Sequence, residues 1–292
     1  MKLRFEKIDL EQNRSIQVTE LHKSEFDAPW HYHPEWELTL IQKGHGKRFV
    51  GNNIEHFTAG DLVLLGPNLP HFWHSEGSSQ QPLAPDARAI VIQFPDVFFG
   101  ETFLHLPEMD AIRKLLTKAS LGLAFDSVQS PQVTNLLTTL TEQSPLERIL
   151  CLLKILQALT TIPARPLSKA LYTSPTELES STRLGKAYAY LLSHFRDPIT
   201  LTDIANSAAM SPAAFSRFFK RMTNRNLWDL LNDLRVEQAS TLLRESNTDI
   251  TAIAFESGFG TLSSFNRHFQ KTHGRTPSAY RKIANLQPPL SP

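Results

Sequence analysis

Over residues 1 to about 95, apolar and polar side chains alternate in Leu3–Ile8 and Ser15–His22, and Glu37–Gln42, Lys47–Val50, Asp61–Leu65 and Arg88–Phe94 are short runs rich in branched or aromatic residues. Gly44, Gly46, Gly51-Asn52-Asn53 and Gly66-Pro67-Asn68 interrupt them as turns. A period of two broken by turn residues predicts strands, and regularly spaced short strands predict an antiparallel β-barrel or jelly roll. Residues 76–87 are polar and loop-like. From Pro107 the period becomes helical, predicting helices over Met109–Ala119, Pro131–Glu142 and Leu146–Thr160. The last carries Ile149, Leu150, Leu153, Leu156 and Leu159, widened by Leu152 and Ile155. So broad a stripe needs cover on two sides, which the barrel or a second copy of the chain would supply.

Residues 163–181, with three prolines and weak periodicity, read as a linker. Leu184–Phe195 then reads as a helix stopped by Asp197-Pro198. Two similar units follow. Thr200-Leu-Thr-Asp203 is a capping box, Leu201, Ile204 and Ala205 share one face, and Ser211-Pro212 opens a new helix. On that helix Phe215, Phe218 and Phe219 point inward, leaving Ala213, Ser216, Arg217 and Lys220 outside. The second unit repeats this with Ile250, Ile253 and Ala254, then Gly258 at the turn, then Leu262, Phe265 and Phe269. A short helix, a turn and a second helix with a polar, basic outer face is the helix-turn-helix shape that enters a DNA major groove. Leu227 to about Leu243 joins the two units as one helix of roughly 25 Å.

Charge supports that reading only when the chain is divided. The net charge is +1 overall, but from Ser180 onward 14 Lys and Arg stand against 8 Asp and Glu, leaving the acidic excess in the first part. A basic end is the asymmetry expected where phosphates are met. The outward residues sort by chemistry. Arg217 suits guanine O6/N7 and Asn266 suits adenine N6/N7; Ser216 and Ser263 are adaptable, and Ala213 and Leu262 offer apolar contact. Lys220, Arg221, Arg267, Lys271 and Arg281 suit phosphates, with an intradomain ion pair as the alternative for Arg267. One cysteine, Cys151, excludes an intrachain disulfide. No run of 18 apolar residues appears and the start is no signal peptide, so a cytoplasmic protein without membrane contact is expected.

The C-terminal third resembles the DNA-binding domain of the AraC/XylS family of transcription regulators. The residues carrying the resemblance are Ile250, Ile253, Ala254, Gly258, Phe259, Ser264, Phe265, Arg267, Phe269, Gly274, Thr276, Pro277, Tyr280 and Arg281. It implies two helix-turn-helix units in successive major grooves. Asn224 stands where that family has glycine, and Asn tolerates the left-handed conformation best among the other residues. In the first part, His31-x-His33-x3-Glu37-x6-Gly44, then Gly60-x10-His71, resembles the two cupin motifs, with Glu25 in place of the opening glycine. In metal-binding cupins the positions matching His31, His33, Glu37 and His71 converge on one metal, and three imidazoles with a carboxylate suit a divalent transition ion. In regulators of the AraC type the same letters often line a pocket for a sugar or other small molecule, and Trp30, Trp36 and Trp73 nearby suit such a ligand.

The expected organisation is a multidomain α+β chain: an effector-sensing cupin-like barrel over 1–100, a helical dimerisation or packing segment over 101–162, the linker over 163–181, an all-α DNA-binding domain over 182–284, and a disordered tail over 285–292. The expected partners are double-stranded DNA, a carbohydrate-type effector, a second copy of the chain and RNA polymerase. No cofactor is required, although a divalent transition metal in the barrel stays open. Two competing readings remain: a metal-dependent cupin enzyme with an accessory DNA-binding domain, and an effector-independent regulator whose barrel only dimerises.

Overall fold

The computed structural model describes residues 3–8, 15–75, 87–126, 131–169, 171–172, 175–223 and 225–286. Residues 76–86, Asn224 and the tail beyond Leu286 lie outside the described residues. The chain divides into two compact units between Thr182 and Arg183.

The N-terminal unit runs β1 (Arg4–Phe5), β2 (Gln17–Lys23), β3 (His31–Tyr32), β4 (Trp36–Lys43), β5 (Gly46–Val50), β6 (Asn53–Phe57), β7 (Asp61–Leu65), β8 (His71–Ser75) and β9 (Ala87–Phe94). It continues with α1 (Gly100–Phe103), α2 (Asp110–Ala119), β10 (Leu123–Asp126), α3 (Pro131–Leu140), α4 (Pro145–Leu159) and β11 (Ala164–Pro166). Two sheets form, one in the order β1-β3-β8-β5-β6 and one in the order β11-β10-β7-β4-β9-β2. Every pairing is antiparallel except β1 with β3. β3, β6, β8, β10 and β11 fall where no strand was expected. Histidines fill β3 and β8 and mask the apolar period, β10 interrupts a stretch with helical spacing, and β11 lies inside the segment read as linker.

Alternation in the six-stranded sheet organises this unit. Trp36, Leu38 and Leu40 of β4, Leu62 and Leu64 of β7, and Ile90, Ile92 and Phe94 of β9 form one buried cluster with Ile112, Leu115 and Leu116 of α2, Leu137 of α3 and Leu152, Ile155 and Leu156 of α4. The broad stripe of α4 thus finds its main cover on the sheet of its own chain, with Cys151 buried beside it, while Leu146 and Leu150 stay exposed. The opposite face of the sheet joins a second cluster that includes Ile41, Val63, Leu65, Trp73 and Ala89.

A buried charge closes one end of the sheets. Arg48 on β5, 1% exposed, donates to both carboxylate oxygens of Asp61 on β7 and, at 3.0 Å, to Glu55 on β6. Arg165 on β11 holds Glu55 from outside at 2.6 and 2.7 Å. The network therefore links β5 and β6 of one sheet to β7 and β11 of the other. Arg48→Ala leaves Asp61 without its cation in a largely dry site, and is expected to cost about 3–5 kcal/mol in chemical denaturation.

The second unit begins within α5 (Pro175–His194) and continues as α6 (Leu201–Ser207), α7 (Pro212–Thr223), α8 (Leu227–Glu245), α9 (Ile250–Glu256), α10 (Leu262–His273) and α11 (Pro277–Leu286). α5 starts earlier than expected, inside the presumed linker, because the sequence from Thr176 to Thr182 holds one apolar residue, too few to set a helical period, and Pro175 alone marks the start. α11 likewise carries the fold to Leu286, past the expected beginning of the tail. Side chains cap the helices: Thr200 and Asp203 form the box expected on α6, and the structure adds Asn226 on α8, Asp249 on α9 and Thr261 on α10. Arg235 of α8 donates to the carbonyls of Phe195 and Asp197 at 2.7 and 2.9 Å, satisfying the end of α5. Val236, Ala239 and Leu243 of α8 pack on Ile253, Ala254, Phe265 and Phe269.

The two helix-turn-helix turns share a backbone hydrogen bond, from Met210 N to Ala205 O at 2.9 Å and from Phe259 N to Ala254 O at 3.1 Å. They differ in how they reach positive φ. Gly258 holds φ 89°, and a Cβ there would lie 2.7 Å from Phe195 O, whereas the first turn places Ala209 at φ 54°. Left-handed backbone strains an alanine but not a glycine. Ala209→Gly is therefore expected to stabilise this unit by about 0.5–1 kcal/mol after the entropy of the freer unfolded chain is subtracted. Gly258→Ala is expected to destabilise it by about 2 kcal/mol or more, both read from thermal unfolding.

Candidate functional site

Two helices present the polar face foreseen for DNA. On α10, Phe265 and Phe269 are fully buried, so helical spacing turns Ser263, Asn266, Arg267 and Lys271 outward, with Leu262 37% exposed at the N-terminal end. On α7, burial of Phe215, Phe218 and Phe219 leaves Ala213, Ser216, Arg217, Lys220 and Arg221 exposed. Counting from the caps Ser211 and Thr261, the two faces match position by position: Ala213 with Ser263, Ser216 with Asn266, Arg217 with Arg267, and Arg221 with Lys271. Arg267 forms no ion pair among the described residues; its only hydrogen bond, 3.4 Å to His268, leaves the cation available. Lys271 lies 3.9 Å from Asp229 with both side chains exposed, a weak pairing that water competes for. Arg281 departs from its expected role, since it is half-buried and donates to Thr248 O at 2.7 Å in the turn before α9. Arg275, exposed just past Gly274, is a cation the sequence pattern did not single out.

In the N-terminal unit His31, His33, Glu37 and His71 are all buried, and one donor atom from each lies within 4.8 Å of the others. β3 and β8 bring His31 opposite His71, and β4 supplies Glu37. His31 and His71 each have an outer partner at Nδ1, Pro29 O and Leu69 O, both at 2.7 Å, while His33 Nδ1 has no hydrogen-bond partner and lies 3.5 Å from the Glu35 carboxylate. A carbonyl only accepts, so Nδ1 of His31 and of His71 carries a proton, and Nε2 is the nitrogen whose lone pair a neutral ring offers a metal. His71 Nε2 lies 3.6 Å from Glu37 Oε2 without a hydrogen-bond partner, and His33 Nε2 lies 3.0 Å from the same oxygen. Thr39 and Gln93 donate to the Glu37 carboxylate at 2.7 and 2.9 Å.

The electrostatics follow from that packing. Burial, then the neighbouring His71, pushes His31 down to about 3. Burial also opposes charge on His33, but the hydrogen bond and charge of Glu37 outweigh it and raise His33. Glu37 pays the same desolvation, yet His71 and His33 hold its carboxyl well below the usual range. Two imidazoles anchored at Nδ1, a third held at Nε2 by Glu37, a carboxylate held by two donors, and an unpartnered His71 Nε2 between them fit a divalent transition ion.

Beside this cluster opens a cavity of about 220 Å³. Its floor is the inner face of the six-stranded sheet, built rung by rung. Gln93 and Glu37 pair in one rung; Thr19, Val91 and Thr39 form the next; Leu21, Ala89 and Ile41 form the third. His31, Phe26 and Trp73 complete the wall, and Glu6, Lys23 and Asp27 also line it. Trp73 Nε1 is buried with no hydrogen-bond partner. The other two expected tryptophans are elsewhere. Trp36 precedes Glu37, so alternation sends it to the helix-covered core. Trp30 is fully buried against Phe72 and donates to Ser181 at 3.1 Å. Thr19, Leu21, Lys23 and Gln93 escaped the sequence reading because only the strand register brings them together.

Known proteins share both parts. A helix-turn-helix domain family matches residues 204–283, and a cupin domain family matches residues 17–81. The uncharacterized HTH-type transcriptional regulator YobQ of Bacillus subtilis is 37% identical over 93 residues, which are 32% of this chain and 39% of that protein. The HTH-type transcriptional activator RhaS of Escherichia fergusonii is 23% identical over 278 residues, covering 89% of this chain and 90% of its own. The C-terminal domain of AraT, a response regulator from Geobacillus stearothermophilus, is 30% identical with a TM-score of 0.33, covering 35% of this chain and 84% of that one. The chain spans about two fifths of the length of the first curated relatives it matches. The chain thus carries a region similar to cupin domains followed by one similar to the AraC-type helix-turn-helix domains of transcriptional regulators.

Proposed function

We propose that this chain is a transcription regulator that reads duplex DNA through α7 and α10 and is controlled by a small molecule bound in the N-terminal cavity. The observation carrying the DNA reading is the pair of exposed polar and basic faces, on α7 and α10, that match position by position. Arg217 and Asn266 then choose bases, helped by Ser216, Ser263, Ala213 and Leu262, while Lys220, Arg221, Arg267 and Lys271 hold phosphates. The 19 residues of α8 span about 28 Å at ~1.5 Å each, short of the ~34 Å of one DNA turn, so a slight bend brings both helices into adjacent grooves. RhaS bears the name of an activator and covers nearly the whole chain, which favours a role in transcription for both units together.

Fluorescence anisotropy on the operator and on random duplex tests the assignment. Asn266→Ala is expected to cost about 1–3 kcal/mol on the operator and to relax one base position, while Lys271→Ala weakens every sequence alike and flattens the salt slope by about 1. Equal losses of both variants on both DNAs would remove Asn266 from base reading.

The cavity fits a small metabolite with an apolar face and a hydrogen-bond acceptor for Trp73; a sugar remains within that class, with one tryptophan wall instead of three. Beside it, we infer that His31, His33, Glu37 and His71 hold a divalent transition ion. Bound there, the ion supplies a Lewis-acid point for an oxygen of the ligand. Elemental analysis of purified chain is expected to find one Mn, Fe or Zn per chain, lost in His33→Ala with His71→Ala. Metal at 100 times its Kd should raise the unfolding free energy by about 2.7 kcal/mol, and a chain melting identically with metal and with chelator would overturn this reading.

A further inference from the structure

We propose that Glu6, carried on the short strand β1, is a further ligand to the ion of the histidine cluster, so that metal binding and docking of the N-terminal strand are linked. This rests on the cluster holding a divalent ion. His31 Nδ1 is committed to Pro29 O, so Nε2 is the ring nitrogen left to ligate, and the atom facing it 3.1 Å away is Glu6 Oε2. A nitrogen and a carboxylate oxygen at that separation are spaced as neighbouring ligands of one cation. Glu6 is not one of the four donors grouped within 4.8 Å, but its side chain is 48% exposed and lines the same cavity as His31 and Glu37.

The backbone explains why this carboxylate is there. Arg4 N donates to Trp30 O and Glu6 N donates to Tyr32 O, both at 3.0 Å, which sets β1 parallel to β3 and places Glu6 beside His31. Apart from these bonds the strand is weakly held: Arg4 and Phe5 are exposed, and Phe5 meets Tyr32 edge-on. Two residues of ladder are little to order a chain terminus. A charged side chain lining the cavity and meeting a histidine of the metal cluster gives β1 a reason to dock that its own packing lacks.

The test uses the full chain and Co²⁺ or Zn²⁺ alone. Metal affinity is measured by chelator competition, and hydrogen exchange is followed at the Arg4 and Glu6 amides. In the native chain, metal is expected to slow exchange at both amides. Glu6→Gln keeps the side-chain volume and is expected to weaken metal affinity at least tenfold and to abolish that slowing, while Glu6→Asp retains part of each. Equal affinity for native and Glu6→Gln chains, with the same exchange, would overturn the role of Glu6 while leaving the cluster as a metal site. No uptake by the native chain would overturn the cluster reading itself, and with it this one.

Discussion

The two-residue period of the six-stranded sheet is the constraint on which the N-terminal unit depends. Each strand must send one set of side chains to α2, α3 and α4 and the other set inward. On β4 this puts Trp36, Leu38 and Leu40 under the helices and Glu37, Thr39 and Ile41 into the cavity. Because β2, β4 and β9 pair in register, the inward sets line up as rungs that grade from Glu37 and Gln93 to Leu21, Ala89 and Ile41. A one-residue slip would bury the carboxylate under helices that offer it no donor and would swing Trp36 into the cavity. The polar cluster and the helical cover are thus two consequences of one register.

In the C-terminal unit the corresponding constraint is the fully buried phenylalanine pair on each recognition helix, Phe215 with Phe219 and Phe265 with Phe269. At 3.6 residues per turn, fixing those two positions fixes which side chains face away. The outer set then has latitude in chemistry without cost to the core, and it differs between the units: Ala213 and Ser216 on one, Ser263 and Asn266 on the other. Unequal outer residues on equivalent inner frames are what a reader of an asymmetric sequence requires.

Legibility in the sequence followed the strength of local signals. Caps and turns such as Thr200 with Asp203, Ser211-Pro212, and Gly258 act over three or four residues and were readable, as was the spacing of the four metal-type donors. Features set by distant pairing were not. Trp36 looked like a ligand wall because it neighbours Glu37, yet adjacency along a strand means opposite faces. Arg281 looked like a phosphate contact until the fold brought Thr248 O within 2.7 Å of it. β8 was hidden because two of its five residues are histidines and a third, Trp73, is shared between core and cavity. Its strand identity comes from pairing with β3 and β5, not from propensity.

The histidine cluster is hard to account for as mere packing. Taking one carboxylate and three imidazoles out of water carries a desolvation cost of several kcal/mol, recovered only if every polar atom is matched. Arg48 meets that standard at its guanidinium ends, with Asp61 and Glu55 both answering it. Glu37 nearly does, through Thr39, Gln93 and His33. His71 Nε2 and His33 Nδ1 do not, although both rings are buried and their outer geometry is otherwise well defined. Apolar residues of similar size would fill the same space without leaving those atoms unmatched. An arrangement that spends stability this way, beside a cavity whose Trp73 indole is also unmatched, is better explained by what enters the site than by what surrounds it.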